Sequence, residues 1–366
     1  WSNDYSIGFF QIPGTPKSLL HLSELDLDRK NLKSLPDSFS KLNNIKKLSI
    51  YQSQFDTIPR QIRRLGKLTS LSLNECQLTC LPEWIGELVK LEKLCLYSNQ
   101  LTSIPDSLSK LKNLISLNLD NNELNSLPGS IKDLTKLDNL LLGRNKLTSV
   151  PDAIGKFKEL THLDLSHNYI SSLPNTIKGL VNLEYLSLGY NNLTTLSRKL
   201  GNLEKLKILN LGNNQISCLP ESLKNLSNLS SLQLQNNRLA SLPEWLDELK
   251  ELTYLNVTGN QITRLSDRIK GLPKLMNLSL DCHNFPVLFE QLCELDGLDS
   301  LALNINDRYE LICTLNKQTN SHCLTVKHLT LILPSINYVM PWSDDHKKHI
   351  KELLPSSTIC FSYNVV

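Results

Sequence analysis

The first residues to weigh for chemistry are four aspartates in short apolar runs whose alternation is typical of strands: Asp26, Asp28, Asp120 and Asp164. Paired carboxylates support general acid–base catalysis when they are held at a defined separation. The usual phosphate loops, dinucleotide fingerprints, serine elbows and zinc-helix motifs are absent from the sequence. We therefore expect these aspartates to be surface carboxylates, and we predict that the protein is not an enzyme.

A second group with possible chemistry lies near the C-terminal end: Cys282, His283, Cys293, Cys313, His322, Cys323 and His328. Structural zinc usually takes its ligands in close pairs such as C-x-x-C, and no such pair occurs. We predict no metal and no cofactor. The 9 cysteines are odd in number and widely spaced. This favours reduced thiols and a cytoplasmic location.

The charge and the hydrophobicity of the chain restrict the classes of partner that it can bind. Lys and Arg number 39 against 36 Asp and Glu, a net charge of +3 over 366 residues. A nucleic-acid binder normally shows a concentrated basic excess, so we expect no nucleic-acid partner. No apolar run approaches the roughly 18 residues that a membrane span needs. The first residues, Trp1 to Tyr5, show no signal peptide.

A sequence repeat with a fixed period determines where the residues discussed above lie in the fold. The pattern L-x-x-L-x-L-x-x-N-x-L starts at Leu22 and recurs every 23 residues to Leu298, which gives thirteen copies without an insertion or deletion. Its alternating leucines predict one short strand per copy, and successive strands should stack in parallel. The ninth position forms an asparagine ladder that can satisfy backbone groups where each strand turns inward: Asn99, Asn122, Asn145, Asn168, Asn191, Asn214, Asn237 and Asn260.

The second half of each copy reads L-P-x-x-I-x-x-L, as in Leu81–Leu88 and Leu242–Leu249. With these motifs the chain resembles the 23-residue class of the leucine-rich repeat family. The resemblance implies an α/β repeat solenoid. We expect a horseshoe with a parallel concave β-sheet and short helical or 3₁₀ convex segments.

The repeat also divides the chain. We assign residues 1–21 to an N-terminal cap and 22–320 to the repeats, of which the last are divergent. Residues 321–366 are assigned to a further divergent repeat and a C-terminal cap. Within that cap Ser343 is suited to cap a helix spanning 343–354. The extra residues near Lys317–Ser321 predict a longer loop.

The concave face is the predicted binding surface. The second, third, fifth, seventh and eighth positions of each repeat should point outward from it. Across repeats six to nine these positions hold aromatic, basic and apolar side chains of the types enriched at binding hot spots. The candidate residues are Leu141, Arg144, His162, Asp164, His167, Tyr185, Tyr190 and Ile208. Stacking should align His162 with Tyr185 and Ile208, and Arg144 with His167 and Tyr190.

A smaller candidate surface lies in repeats two to four. Tyr51 and Tyr97 stand there with Lys47, Lys93 and Glu75 around them. Charged groups around two tyrosines would suit an acidic peptide. The alternative is an ordinary solvated surface.

The resemblance implies a monomeric, non-enzymatic module that binds a protein partner on its concave face. The chain also resembles effectors that pathogenic bacteria deliver to the host cytoplasm, where the partner would be a host protein. It equally resembles intracellular scaffolds of Ras-pathway signalling. A second possibility is the substrate-recognition region of a larger enzyme, such as a ubiquitin ligase or kinase. A third is a receptor or adhesin ectodomain, but the Cys-rich caps of such proteins are absent from the sequence.

Overall fold

The computed structural model describes residues 20–282, 285–293, 295, 297–305, 308–317, 326–333, 342–354 and 357–363. The chain divides into two compact units, Trp1–Asn192 and Leu193–Val366. In each unit short parallel strands alternate with short helical segments. The predicted architecture of a parallel sheet with one strand per repeat is therefore confirmed.

The first unit contains the strands β1 (Glu24–Asp26), β2 (Lys47–Tyr51), β3 (Ser70–Asn74), β4 (Lys93–Cys95), β5 (Ser116–Asn118), β6 (Asn139–Leu141), β7 (His162–Asp164) and β8 (Tyr185–Ser187). Each strand residue pairs with the residue 23 positions further on, as Leu140 does with Leu163. The leucines at the middle of the strands point inward, and Leu140 and Leu163 are 0% exposed. We call the solvent-facing side of these strands, with the turns that follow them, the sheet face.

The return segments of the first unit are 3₁₀ helices: Asp37–Lys41, Arg60–Arg64, Glu83–Glu87, Asp106–Lys110, Gly129–Asp133, Asp152–Lys156 and Asn175–Gly179. A proline precedes each of them. Proline suits this place because its missing N–H is not needed there, while its carbonyl accepts the first helical hydrogen bond. In the first segment the Phe39 N–H donates to the Pro36 carbonyl over 2.9 Å.

The asparagine ladder joins neighbouring repeats. The Nδ2 of Asn145 donates to the carbonyls of Leu119, Leu142 and Gly143 over 2.9–3.1 Å. Its Oδ1 accepts from the Leu124 N–H at 3.0 Å. The side chain is 5% exposed. Buried backbone groups at the bend are thus satisfied by a side chain, as the sequence predicts.

The second unit contains the strands β9 (Ile208–Asn210), β10 (Ser231–Gln233), β11 (Tyr254–Asn256), β12 (Asn277–Cys282), β13 (Ser300–Ile305), β14 (His328–Leu333) and β15 (Thr358–Tyr363). Its 3₁₀ helices are Arg198–Asn202, Glu221–Asn225, Leu246–Glu248 and Asp267–Gly271. Its α-helices are α1 (Phe285–Cys293), α2 (Arg308–Lys317) and α3 (Asp344–Leu353).

The α-helices α1 and α2 begin where the repeat diverges. In nine regular repeats the fifteenth position is proline, which breaks a helix interior. In the last two repeats that position is Phe289 or Ile312, so a longer helix runs through it. Helix α3 lies within the predicted range, and the Ser343 hydroxyl accepts from the His346 N–H at 3.1 Å. The predicted N-terminal cap, apart from residues 20–21, and most of the predicted loop near 317–321 lie outside the described residues.

The thiols differ from the expectation in one place. Cys293, the last residue of α1, is disulfide-bonded. Among the described residues the free cysteines are Cys76, Cys80, Cys95, Cys218, Cys313 and Cys360. The expectation of reduced thiols is therefore wrong at Cys293, and a disulfide persists most readily in an oxidising environment.

Candidate functional site

Seven of the predicted contact residues lie together on the sheet face of the first unit. They belong to β6, β7 and β8 and to the turns that follow these strands: Leu141, Arg144, His162, Asp164, His167, Tyr185 and Tyr190. Ile208, the eighth, lies on β9 of the second unit and is half-buried beside Ser231 of β10. Both residues of the second predicted surface lie in the first unit: Tyr51 is the last residue of β2, and Tyr97 lies just after the end of β4 at Cys95.

The third-position row is formed by paired strand residues. His162 of β7 is in register with Tyr185 of β8, and their rings stack with centroids 5.9 Å apart and planes at 20°. The Nδ1 of His162 lies 2.7 Å from the Thr161 hydroxyl. This contact orients the imidazole, so the two stacked rings form a rigid aromatic surface.

The eighth-position row lies in the turns. Arg144, His167 and Tyr190 have φ angles of 53°, 53° and 57°. The His167 and Tyr190 rings stack closely, with centroids 4.1 Å apart and planes at 10°. Tyr190 is 52% exposed. Each turn is held by the next repeat: the Arg144 N–H donates to the Ser166 carbonyl at 2.9 Å, and the His167 N–H to the Gly189 carbonyl at 2.8 Å.

This left-handed backbone is costly for large side chains, by about 1 kcal/mol or more per residue. The eighth position is also left-handed in the other repeats, where it is held by Asn and Gly, which tolerate this conformation, but equally by large side chains: Arg29, Gln52, Glu75, Asn121, Asn213, Asn236 and Gly259. The left-handed turn is therefore a feature of the repeat itself. What distinguishes repeats seven and eight is the ring stack of His167 and Tyr190.

Gly143 lies on the sheet face beside the aromatic rows and is buried beneath polar side chains of the adjacent repeats. The position that a Cβ of Gly143 would take lies 3.3 Å from Asp120 Oδ1, 3.3 Å from Ser166 Oγ and 3.5 Å from Asp164 Oδ1. The Gly143 N–H donates to Asp120 Oδ1 at 2.6 Å, and the Ser166 N–H to Asp164 Oδ1 at 2.8 Å. These three side chains thus occupy the space above Gly143, and a glycine there lets them approach its backbone closely.

Burial changes the ionisation of the groups around Gly143. It raises the pKa of Asp120 to about 6, an effect that the nearby Asp164 adds to and that the Gly143 N–H and Arg144 oppose. Burial also raises the pKa of Tyr185, and the charges of Asp164 and Asp120 act in the same direction. The pKa of His167 is lowered by burial and by Arg144, so its imidazole is mainly neutral at neutral pH.

In the second predicted surface Tyr97 is 39% exposed and Tyr51 is half-buried. A hydrogen bond with Glu75 raises the pKa of the Tyr51 phenol. Gln52 donates to both Glu75 and the Tyr51 hydroxyl, at 3.1 and 3.3 Å. Between the two tyrosines lies Asn74, whose Oδ1 accepts from the Tyr97 N–H at 2.9 Å.

Three residues of this region were not predicted as contacts. Asp120 was considered only for catalysis, and Gly143 was not considered. Their signal in the sequence is an aspartate and a glycine at the seventh position of adjacent repeats, where stacking brings them together. Tyr169, at the tenth position, is 56% exposed but lies outside the five positions considered.

The two aspartates of the first repeat that were considered for catalysis, and expected to be surface carboxylates, accept hydrogen bonds from neighbouring residues. Asp26 accepts from the Asp28 N–H at 2.8 Å, and Asp28 accepts from the Ser49 hydroxyl at 2.8 Å. In the part of the chain that the structure describes, no three His, Cys, Asp or Glu residues are arranged to hold a metal ion. No described helix has the length and apolar character needed to cross a bilayer.

Two family models match the sequence. A model of the leucine-rich repeat matches residues 135–193 and 158–216. A model of a leucine-rich repeat region matches residues 15–120 and 197–356, which is most of the chain. No curated protein sequence matches the chain.

Solved structures share the fold. A leucine-rich repeat protein of Leptospira interrogans has a TM-score of 0.65 at 28% identity, over 94% of this chain and 97% of its own. An internalin of Listeria monocytogenes has a TM-score of 0.71 at 26% identity, over 81% of this chain and 86% of its own. The TLR13–ssRNA13 complex has a TM-score of 0.68 at 24% identity, over 93% of this chain and 54% of its own. At that identity the last match concerns the fold alone.

Proposed function

The chain belongs to the leucine-rich repeat family, and from that premise we propose that the sheet face of its first unit binds a protein partner. The observation that carries the proposal is the pair of stacked rows, His162 with Tyr185 and His167 with Tyr190. Aromatic side chains are enriched at binding hot spots. Here the four rings are exposed or half-exposed on one face.

The surface is ordered before a partner arrives. Strand pairing fixes His162 against Tyr185, and the ladder asparagines Asn168 and Asn191 hold the turns that carry His167 and Tyr190. Binding then requires little further ordering of side chains, each of which would otherwise cost about 0.5–1.5 kcal/mol. A partner can therefore be bound with modest contact area.

The proposed role is non-enzymatic. The carboxylates on the sheet face are bound by backbone N–H groups, as Asp120 is by Gly143 and Asp164 by Ser166. Recognition of a substrate for a larger enzyme would use the same surface. A comparison of this chain with its complete reading frame separates that alternative from a stand-alone module.

A protein partner is preferred to a nucleic acid. In repeats five to eight the outward positions of the sheet face include four carboxylates, Asp120, Asp138, Asp164 and Glu184, and one guanidinium, Arg144. A phosphate backbone would be repelled by this surface. We propose a monomer with a single partner on this face.

Resemblance to repeat proteins of Leptospira and Listeria supports a bacterial origin. We propose that the biological role of the protein is that of an effector that acts on a host protein. The predicted cytoplasmic location and the Cys293 disulfide favour different compartments. An intact-mass measurement with and without reductant decides between them, and a disulfide in the purified native protein favours the ectodomain alternative.

A displayed library of random peptides, selected on the purified protein, tests the binding surface. Ligands are then measured against a Tyr185→Ala/Tyr190→Ala variant. The matched control is Val89→Ala/Val181→Ala, which truncates two exposed apolar residues of the same unit that lie outside its strands.

We expect the ligands to lose about tenfold or more in affinity for the tyrosine variant, since hot-spot truncation costs more than about 1.4 kcal/mol. Affinity for the valine variant should be unchanged. Ligands that bind the tyrosine variant as tightly as the wild type would remove this face as the binding surface.

A further inference from the structure

A chain of hydrogen bonds on the sheet face joins two neighbouring repeats and ends at His162. The Oγ1 of Thr161 lies 2.5 Å from Asp138 Oδ1 and 2.7 Å from His162 Nδ1. It also lies 3.4 Å from the backbone carbonyl oxygen of Asp138. Asp138 and Thr161 hold the second position of the sixth and seventh repeats, so the stacking of repeats brings them together. The Thr161 hydroxyl therefore has three neighbouring polar atoms but a single proton to donate.

The neighbours of this hydroxyl decide where its proton lies. A carboxylate and a backbone carbonyl have no proton to donate and can only accept. The distance of 2.5 Å between Thr161 and Asp138 is typical of a hydroxyl that donates to a carboxylate. If the hydroxyl donated to His162 instead, lone pairs of two oxygens would face each other over this short distance. The Thr161 hydroxyl therefore donates to Asp138 and accepts from His162.

This direction of hydrogen bonding fixes the tautomer of His162. A neutral imidazole has one N–H, and its other nitrogen is an acceptor. Because Nδ1 donates to the Thr161 hydroxyl, the acceptor is Nε2. The hydrogen bond that one ring nitrogen makes thus sets the role of the other. In water neutral histidine favours the opposite form, with its proton on Nε2, so the contact with Thr161 changes what the ring presents.

The acceptor nitrogen is accessible to a partner. The His162 side chain is exposed, and in the described part of the chain no hydrogen bond is made to its Nε2. The ring is held at Nδ1 by Thr161 and on one face by the stack with Tyr185. Its acceptor therefore has a fixed direction before a partner binds, which lowers the entropy cost of using it.

We propose that Asp138 and Thr161 are positioning residues that keep the proton of the neutral His162 ring on Nδ1, and that Nε2 accepts a hydrogen bond from an N–H or O–H group of the protein partner. This inference rests on the proposed function and specifies one contact of the partner. A carbonyl or carboxylate of a wrong partner would be left unpaired against Nε2, and an unpaired polar group lowers affinity.

The tautomer is measured without a partner. The full chain is labelled with ¹⁵N-histidine, and two-bond ¹H–¹⁵N correlation spectra are recorded at about pH 8.5, roughly two units above the ordinary imidazole pKa of about 6.5. The signals of His162 are identified by their loss in His162→Gln. We expect the ¹⁵N shift of a protonated nitrogen at Nδ1 and of an unprotonated nitrogen at Nε2. The opposite assignment in the wild type would overturn the inference.

Two variants release the tautomer. Thr161→Val removes the hydroxyl and keeps the shape of the side chain, and Asp138→Ala leaves the hydroxyl free to donate to Nδ1. In both, the proton should move mainly to Nε2. The matched control is Thr69→Val, at the second position of its own repeat, where the hydroxyl donates to the Lys46 carbonyl at 3.2 Å. It should leave the His162 signals unchanged. Wild-type signals in both test variants would show that Thr161 and Asp138 do not set the tautomer.

The library ligands test the contact itself. Ligands that lose affinity for Tyr185→Ala/Tyr190→Ala are measured against Thr161→Val and Thr69→Val. We expect binding to Thr161→Val to be weaker by about threefold to tenfold, as for one lost hydrogen bond, and binding to Thr69→Val to be unchanged. Ligands that bind Thr161→Val as tightly as the wild type, although its tautomer is reversed, contradict the acceptor role of Nε2 alone. Ligands indifferent to the tyrosine substitutions contradict the binding surface itself, whichever tautomer is found.

Discussion

The imidazole of His167 stacks on the phenol ring of Tyr190 at a centroid distance of 4.1 Å, although both residues have left-handed backbone. The contact crosses between adjacent repeats, because each residue holds the eighth position of its own copy. A stack of this type is worth about 0.5–1.5 kcal/mol, which is of the same order as the strain of one left-handed residue. It therefore keeps a large aromatic surface rigid with little net gain in stability.

The first prediction concerns the strain at Tyr190. Asn tolerates left-handed backbone, so Tyr190→Asn should leave the free energy of unfolding unchanged or raise it by up to about 1 kcal/mol. Tyr185→Asn, on strand β8, should lower it because asparagine is disfavoured in strands and loses buried contacts. Urea denaturation of both variants measures the difference. A clear loss of stability in Tyr190→Asn would mean that the stack, and not binding, accounts for the tyrosine.

The second prediction concerns the asparagine ladder. Asn145→Ala removes four hydrogen bonds and leaves the buried Leu124 N–H without its side-chain partner, while the Leu119 carbonyl keeps a hydrogen bond from Asn122. One buried unsatisfied group costs about 1–3 kcal/mol, so we expect a loss of about 2 kcal/mol. Asn113→Ala, at an exposed asparagine that donates to the Val89 carbonyl, should cost less than about 1 kcal/mol. Equal midpoints in urea for the two variants would contradict the structural role of the ladder.

The third prediction follows from the raised pKa of Asp120, about 6 in the folded protein against an ordinary value of 3.8. The folded state binds this proton more tightly than the unfolded chain does. The contribution of Asp120 to stability therefore falls as the pH rises from about 4 to about 6 and is constant above that. Asp164 adds to this effect, whereas Arg144 and the Gly143 N–H oppose it.

Asp120→Asn removes the charge and keeps an oxygen for the Gly143 N–H. At pH 7.5 it should raise the free energy of unfolding by about 2 kcal/mol, and the gain should disappear near pH 4. Denaturation at a series of pH values measures this difference. Asp56→Asn is the control and should show no such dependence. A constant difference between Asp120→Asn and the wild type across the series would contradict the raised pKa.

The fourth prediction concerns close backbone packing between return segments. A Cβ at Gly179 would lie against the carbonyl oxygen of Gly155, closer than any real contact allows. Gly179→Ala must therefore shift backbone, and we expect a loss of about 2 kcal/mol or more. At Gly66 nothing lies within 4 Å of the added methyl group. Thermal denaturation should show Gly66→Ala close to wild type, and similar losses in both variants would contradict the packing.

The fifth prediction concerns the Cys293 disulfide. Native disulfides restrict the unfolded chain, so Cys293→Ser should lower the free energy of unfolding by about 2–4 kcal/mol. Cys313→Ser, at an exposed free thiol of α2, should have little effect. Denaturation under non-reducing conditions compares the two. If reductant leaves both the mass and the stability of the wild type unchanged, the disulfide is absent in solution.

The helices of the divergent repeats are a part of the fold that the sequence pattern did not predict. The loss of Leu-Pro at Leu288-Phe289 and Leu311-Ile312 is visible in the sequence and predicts irregularity. It does not predict that the return segments become the α-helices α1 and α2. Removing a helix breaker permits a longer helix but does not require one, because packing against the neighbouring repeats decides its length.

The sequence by itself determined the strand positions, their register, the asparagine ladder and the outward positions of the sheet face. A fixed period of 23 residues allows only one way to align leucines in successive strands, since a one-residue slip would expose them. Only the tertiary structure decided which outward residues contact one another. Ring stacking of His167 on Tyr190 and the packing of Asp120 and Asp164 over Gly143 depend on distances across repeats, and periodicity assigns a residue to a face without fixing those distances.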